Sequence, residues 1–89
     1  MKKHLLIFGK VQDVGFRYWL HTKAIEKNIH GWVKNKITGE VEALLIGKDE
    51  DVNNVIKQCE LGPHSSNVTR VKIQDYKQDY FKKSFDIKS

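Results

Sequence analysis

The chain holds a single cysteine, Cys59, among 89 residues, so no intramolecular disulfide can form and a disulfide-stapled secreted scaffold is excluded. It has no run of about eighteen apolar residues and no apolar N-terminal segment of the signal-peptide kind. No membrane span is therefore expected, and the cytoplasm is the expected compartment. The one proline, Pro63, and the six glycines are not gathered into a tract that would read as linker or disorder. The histidines at positions 4, 21, 30 and 64 show neither HxH nor HxxxH spacing and lack cysteine partners, so no metal site and no cofactor are expected.

What is present is ordinary in amount and uneven in sign. Charged residues make up 30% and hydrophobic residues 39%, a globular balance. At 89 residues the chain suffices for one domain, residues 1–89, with one two-layer core. The net charge of +5 favours anionic partners. The basic residues are dispersed, with Lys82-Lys83 the densest cluster, so most of the lysines read as a solvated face.

Along the chain, "KHLLIFG" (Lys3 to Gly9) is a short apolar run of strand size. From Phe16 to Asn28, Phe16, Leu20 and Ala24 recur at a spacing of four, flanked by Trp19 and Ile25, which predicts a helix with one buried face. "IHGWVKN" and "EVEALLIG" read as two strands joined through "KITG", where Gly39 supplies the backbone freedom of a tight connection. "KDEDVNNVIKQCEL" places Val52, Val55, Ile56 and Cys59 on one helical face, with Asp49, Glu50 and Asp51 at the helix start and Gly62-Pro63 at its end. "NVTRVKIQDY" is an extended segment with Val71 and Ile73 in alternation, and "FKKSFDI" adds a short edge strand. The order βαββαβ predicts an α+β, ferredoxin-like sandwich: an antiparallel sheet with both helices on one face and a short fifth strand at the C-terminus. Cys59 and the two tryptophans, Trp19 and Trp32, read as core, with pocket wall the alternative for the tryptophans.

The segment "GKVQDVGFR" stands between the first strand and the first helix. A turn in that position points several backbone N–H groups into one concavity, and the helix start adds its partial positive charge, so a phosphate is a natural guest. Arg17 lies in the first helical turn, where its planar guanidinium can grip two phosphate oxygens at once. The segment is not a Walker A loop, because Phe16 and Arg17 follow Gly15 where that motif demands Lys and then Ser or Thr. Glycine turns before helices also arise for purely structural reasons, so the loop alone leaves both readings open.

"GKVQDVGFR" resembles the acylphosphatase signature, and "GWVKN" followed by "TGEVE" resembles the second signature of that family. The likeness runs through Gly47, through Gly62-Pro63 with Val68 and Val71 after it, and to the terminal "FDI". The resemblance implies a metal-independent hydrolase that splits the carboxyl–phosphate bond of small acyl phosphates and releases inorganic phosphate, on a ferredoxin-like fold. It implies that Arg17 holds the phosphoryl group together with the amides of Gln12, Asp13, Val14, Gly15 and Phe16, and that Asn35 orients the attacking water. A monomer is expected.

Two residues depart from the family pattern. Asp13 stands where the family has glycine, and Thr38 where it has aspartate. Aspartate tolerates positive φ, so the loop still forms, but a carboxylate about 6 Å from each unit of phosphate charge repels it by roughly 0.7 kcal/mol in water. Three orientations are open to Asp13: toward solvent, onto Lys10, or onto Arg17. The rival function is a catalytically weakened ferredoxin-like module that binds an anion or RNA. An RNA-binding sheet of this topology displays stacking aromatics on its central strands. Here "VEALLIG" has none and Trp32 is alone in the second strand, which argues against nucleic acid.

Overall fold

A computed structural model describes residues 1–89. The elements follow in the order β1 (Lys2–Lys10), α1 (Phe16–Glu26), β2 (His30–Asn35), β3 (Val41–Ile46), α2 (Asp49–Leu61), β4 (Asn67–Asp75) and β5 (Phe85–Lys88). The five strands form one sheet in the order β4-β1-β3-β2-β5. The first four pair antiparallel, the ferredoxin-like βαββαβ arrangement, and β5 joins the edge parallel to β2.

Strand alternation sends Leu5, Ile7, Val33, Val41, Ala43, Leu45 and Phe85 into one buried core. The helices cover that face with Phe16, Leu20 and Ala24 from α1 and Val52, Val55, Ile56 and Cys59 from α2. These are the stripes expected from spacing. Burying a ring such as Phe16 contributes about 1.5–3 kcal/mol. Ile25, expected to flank the α1 stripe, is instead 55% exposed, because the next residue after Ala24 turns some 100° away from the sheet. Helix α1 stops when Asn28 enters the left-handed region at φ 55, a conformation that asparagine tolerates better than most residues.

Trp19 packs against the core, edge-to-face with Phe16 at 5.3 Å between ring centroids. Trp32 does neither of the things expected of it. Lying between Gly31 and Val33, whose faces are buried, it projects from the open side of the sheet, where the ammonium groups of Lys34 and Lys88 approach its ring at 5.8 and 4.7 Å.

Cys59 is fully buried, and burial pushes its thiol up to about 12. A disulfide reagent at mildly alkaline pH should therefore label Cys59 only as fast as the chain unfolds, with full labelling in denaturant. Rapid labelling of the native protein would show that α2 opens locally.

No helix is long and apolar enough to cross a membrane.

Candidate active site

The loop that leaves β1 starts at a bulge. The register with β4 shifts between Phe8 and Gly9, and Gly9 sits at φ 121, where a Cβ would overlap the Asn67 carbonyl oxygen. Glycine is required there by close backbone approach. The loop then runs through Asp13 at φ 62 to Gly15, the N-cap of α1, in the left-handed conformation at φ 75 and ψ 18.

This path has a consequence for hydrogen bonding. The first amide of α1 with a backbone acceptor is that of Trp19, which donates to the Gly15 carbonyl at 3.0 Å. The consecutive amides from Gln12 to Tyr18 have no backbone acceptor, and no side chain caps the helix. An unbroken run of free N–H groups around a helix start is a cradle for an anion. No acidic residue occupies the first turn of α1 to take the place of a ligand.

A concavity of about 100 Å³ opens at this point, lined by Val11, Asp13, Gly15, Phe16, Arg17, Tyr18 and Asn35. It has roughly three times the volume share of a liquid water, which suits a phosphoryl group. Arg17 and Asn35, eighteen residues apart in sequence (35 − 17), thus meet at one site. Nη1 of Arg17 donates to the Lys88 carbonyl of β5 at 2.8 Å, which fixes the guanidinium and leaves its other donors without a protein partner. Asn35 ends β2, and its Oδ1 is buried with no hydrogen-bond partner. Its acceptor capacity is thus unspent within the protein, as is that of Gln58 Oε1, but only Asn35 lines the concavity.

Gln12 and Val14 flank the concavity without lining it. Their backbone amides belong to the free run, but the Gln12 side chain has a separate task. Its Nε2 donates to the carbonyls of Lys36 at 2.7 Å and Glu40 at 3.0 Å, tying the loop to the β2–β3 connection and so to Asn35. Tyr18 and Val11 line the concavity although sequence reading passed over both. Tyr18 follows Arg17 in the first helical turn, and that position is the signal available for it.

Asp13 is exposed and forms no ion pair with Lys10 or Arg17. It nevertheless stands in the concavity wall. Its exposure favours the watery end of the dielectric range, so its repulsion of a doubly charged phosphate is about 1.4 kcal/mol at ~6 Å, close to tenfold in affinity. Asp13→Gly should tighten inhibition by inorganic phosphate several-fold at low salt and raise kcat/KM. Asp13→Asn should recover the electrostatic part alone, and added salt should erase the difference. Unchanged inhibition in both variants would place the carboxylate's field away from the phosphate. A fall in kcat would instead make Asp13 the proton acceptor.

The family model described as acylphosphatase matches residues 3–87. The acylphosphatase of Moorella thermoacetica is 35% identical over 89 residues, covering 100% of this chain and 95% of that one. The acylphosphatase of Nitrobacter winogradskyi is 42% identical over 72 residues, covering 81% and 73%. The crystal structure of acylphosphatase from Bacillus subtilis superimposes with a TM-score of 0.94 at 28% identity, covering 99% and 98%. With the family pattern matched from the first strand to the last, the chain belongs to the acylphosphatase family.

Proposed function

We propose that the chain hydrolyses small acyl phosphates to carboxylate and inorganic phosphate at the concavity between the β1–α1 loop and Asn35. One observation carries the assignment: the free amides from Gln12 to Tyr18 and the Arg17 guanidinium lie beside the orphaned Oδ1 of Asn35. The amides and the free arm of Arg17 take the phosphoryl oxygens, where negative charge is held in ground and transition states alike. A water donates one O–H to Asn35 Oδ1 and attacks phosphorus. The phosphorus–oxygen bond to the acyl group breaks, and the carboxylate leaves with the bonding pair. The proton of the attacking water passes to a phosphoryl oxygen of the substrate, since a neutral amide does not take it up. An acyl phosphate already has a good leaving group, so positioning and charge stabilisation suffice.

The reaction proceeds without a metal in this proposal, the phosphoryl charge being met by the Arg17 guanidinium and the free amides. Residues 1–89 act as one monomeric domain in the cytoplasm, with no nucleic-acid partner. The Asp13 carboxylate at the wall favours one rival, an anion-binding relative with weakened turnover. Benzoyl phosphate hydrolysis with and without a chelator separates the two. Turnover that survives chelation is expected. Phosphate binding with no turnover would support the rival, and turnover lost to the chelator would overturn the metal-free scheme.

A further inference from the structure

Beside the phosphoryl concavity lies a second, wider one of about 420 Å³, lined by Lys34, Asn35, Lys36, Ile37, Thr38 and Ser89. Asn35 belongs to both, so the two lie on either side of that residue. Two lysines, Lys34 and Lys36, line the second wall, and no acidic side chain does. Lys34 is partly engaged, 3.7 Å from Glu42 Oε1 and 5.8 Å from the Trp32 ring centroid. Lys36 makes no ion-pair contact within 4.0 Å, though its charge is among those that hold the Glu42 carboxyl below its usual range, and its backbone is fixed from both sides, its N–H donating to the Glu40 carbonyl at 2.8 Å and its carbonyl accepting from Gln12. The acid of the connection, Glu40, is turned onto the Thr38 hydroxyl at 3.0 Å. Ile37, the next residue, is wholly exposed, an apolar side chain held in water. A fixed backbone, an ammonium with no ion-pair contact and an uncovered apolar side chain match a short alkyl chain that ends in an anion.

We propose that this second concavity takes the acyl end of the substrate and selects acyl phosphates whose chain carries a second anionic group, such as a terminal carboxylate. The proposal rests on the acylphosphatase reading and names the substrate class of that site. With the phosphoryl group in the loop cradle, the acyl carbon passes Asn35 and the chain continues over Ile37. An extended link of four atoms between phosphorus and the far carboxyl carbon spans about 6 Å, which suits a Lys36 side chain one residue beyond Asn35. A neutral chain of the same length meets only Ile37. Charge at this position then discriminates between substrates that the phosphoryl cradle treats alike.

The test compares succinyl phosphate with butyryl phosphate, which have the same number of carbons and differ in the charge at the far end. In the parent protein at low salt, kcat/KM for the succinyl compound should exceed that for the butyryl compound by about tenfold, as expected for one accessible cation within contact distance. Lys36→Met keeps the stem and removes the charge, and it should bring the ratio to within about twofold. Added salt should do the same to the parent. A parent ratio near one, or a ratio unmoved in Lys36→Met, overturns the proposal. A second measurement avoids turnover: calorimetric binding of 5-phosphonopentanoate against pentylphosphonate. Tighter binding of the carboxylate compound, lost in Lys36→Met, supports the proposal, and equal affinities overturn it. If the parent hydrolyses neither acyl phosphate, the catalytic reading fails while the phosphonate pair still decides the subsite.

Discussion

Arg17→Ala is expected to abolish phosphate binding and turnover together. The guanidinium spends one N–H on the Lys88 carbonyl at 2.8 Å, and that bond aims the remainder of the fork. A hydrogen bond to a charged group contributes about 1.5–3 kcal/mol, and the bidentate geometry doubles the contact. Phosphate affinity should fall by roughly a hundredfold or more, and kcat/KM by ~10²–10³-fold. Arg17→Lys should restore little of either, since a single ammonium does not span the Lys88 carbonyl and two phosphate oxygens at once. Calorimetry with inorganic phosphate, alongside benzoyl phosphate kinetics, checks both quantities. Near-normal phosphate affinity in Arg17→Ala would dismantle the cradle assigned here.

Asn35→Ala should behave differently, with a loss of about 3 kcal/mol in transition-state stabilisation, roughly a hundredfold in kcat, and phosphate inhibition within about twofold of the parent. The reason is the orphaned Oδ1, which in the proposed reaction accepts from the water and makes no contact with the phosphate. The same atom makes a prediction about stability. A buried acceptor without a partner costs about 1–3 kcal/mol, so removing it should leave the urea midpoint unchanged or raise it. Most truncations at a buried strand end do the reverse. Equal losses of turnover and phosphate affinity would reassign Asn35 to binding, and a lowered midpoint would reassign it to holding the β2–β3 connection.

The motifs that carry Arg17 and Asn35 were legible in the sequence because each is contiguous, and the fold brings both residues to one concavity. The buried faces of both helices were legible too, since spacing along a helix fixes direction: Phe16, Leu20 and Ala24 share one line, and Ile25 falls off it. Trp32 shows where attention to residue type misleads. Its size suggested core or pocket wall, whereas the alternation of Gly31 and Val33 already assigned it to the opposite face. The parallel pairing of β5 with β2 had no local signal, because strand partners are chosen by the whole sheet. For the same reason nothing marked Lys88 as the Arg17 partner: a carbonyl oxygen has no residue type. The Gln12 clamp is intermediate, a side chain whose motif position was visible and whose backbone acceptors, Lys36 and Glu40, were not.

The bond between Arg17 and Lys88 joins positions 71 residues apart, one in the first helix and the other in the last strand. A nascent chain emerging from the ribosome can form β1, α1 and the β2–β3 pair while β5 is still in the exit tunnel, yet its arginine has nothing to orient it. With Arg17 holding the phosphoryl group as proposed, catalysis begins only after β5 has left the tunnel and the sheet has closed on that edge. Hydrolysis of an acyl phosphate would then serve as a clock for the last step of folding, read in real time during translation.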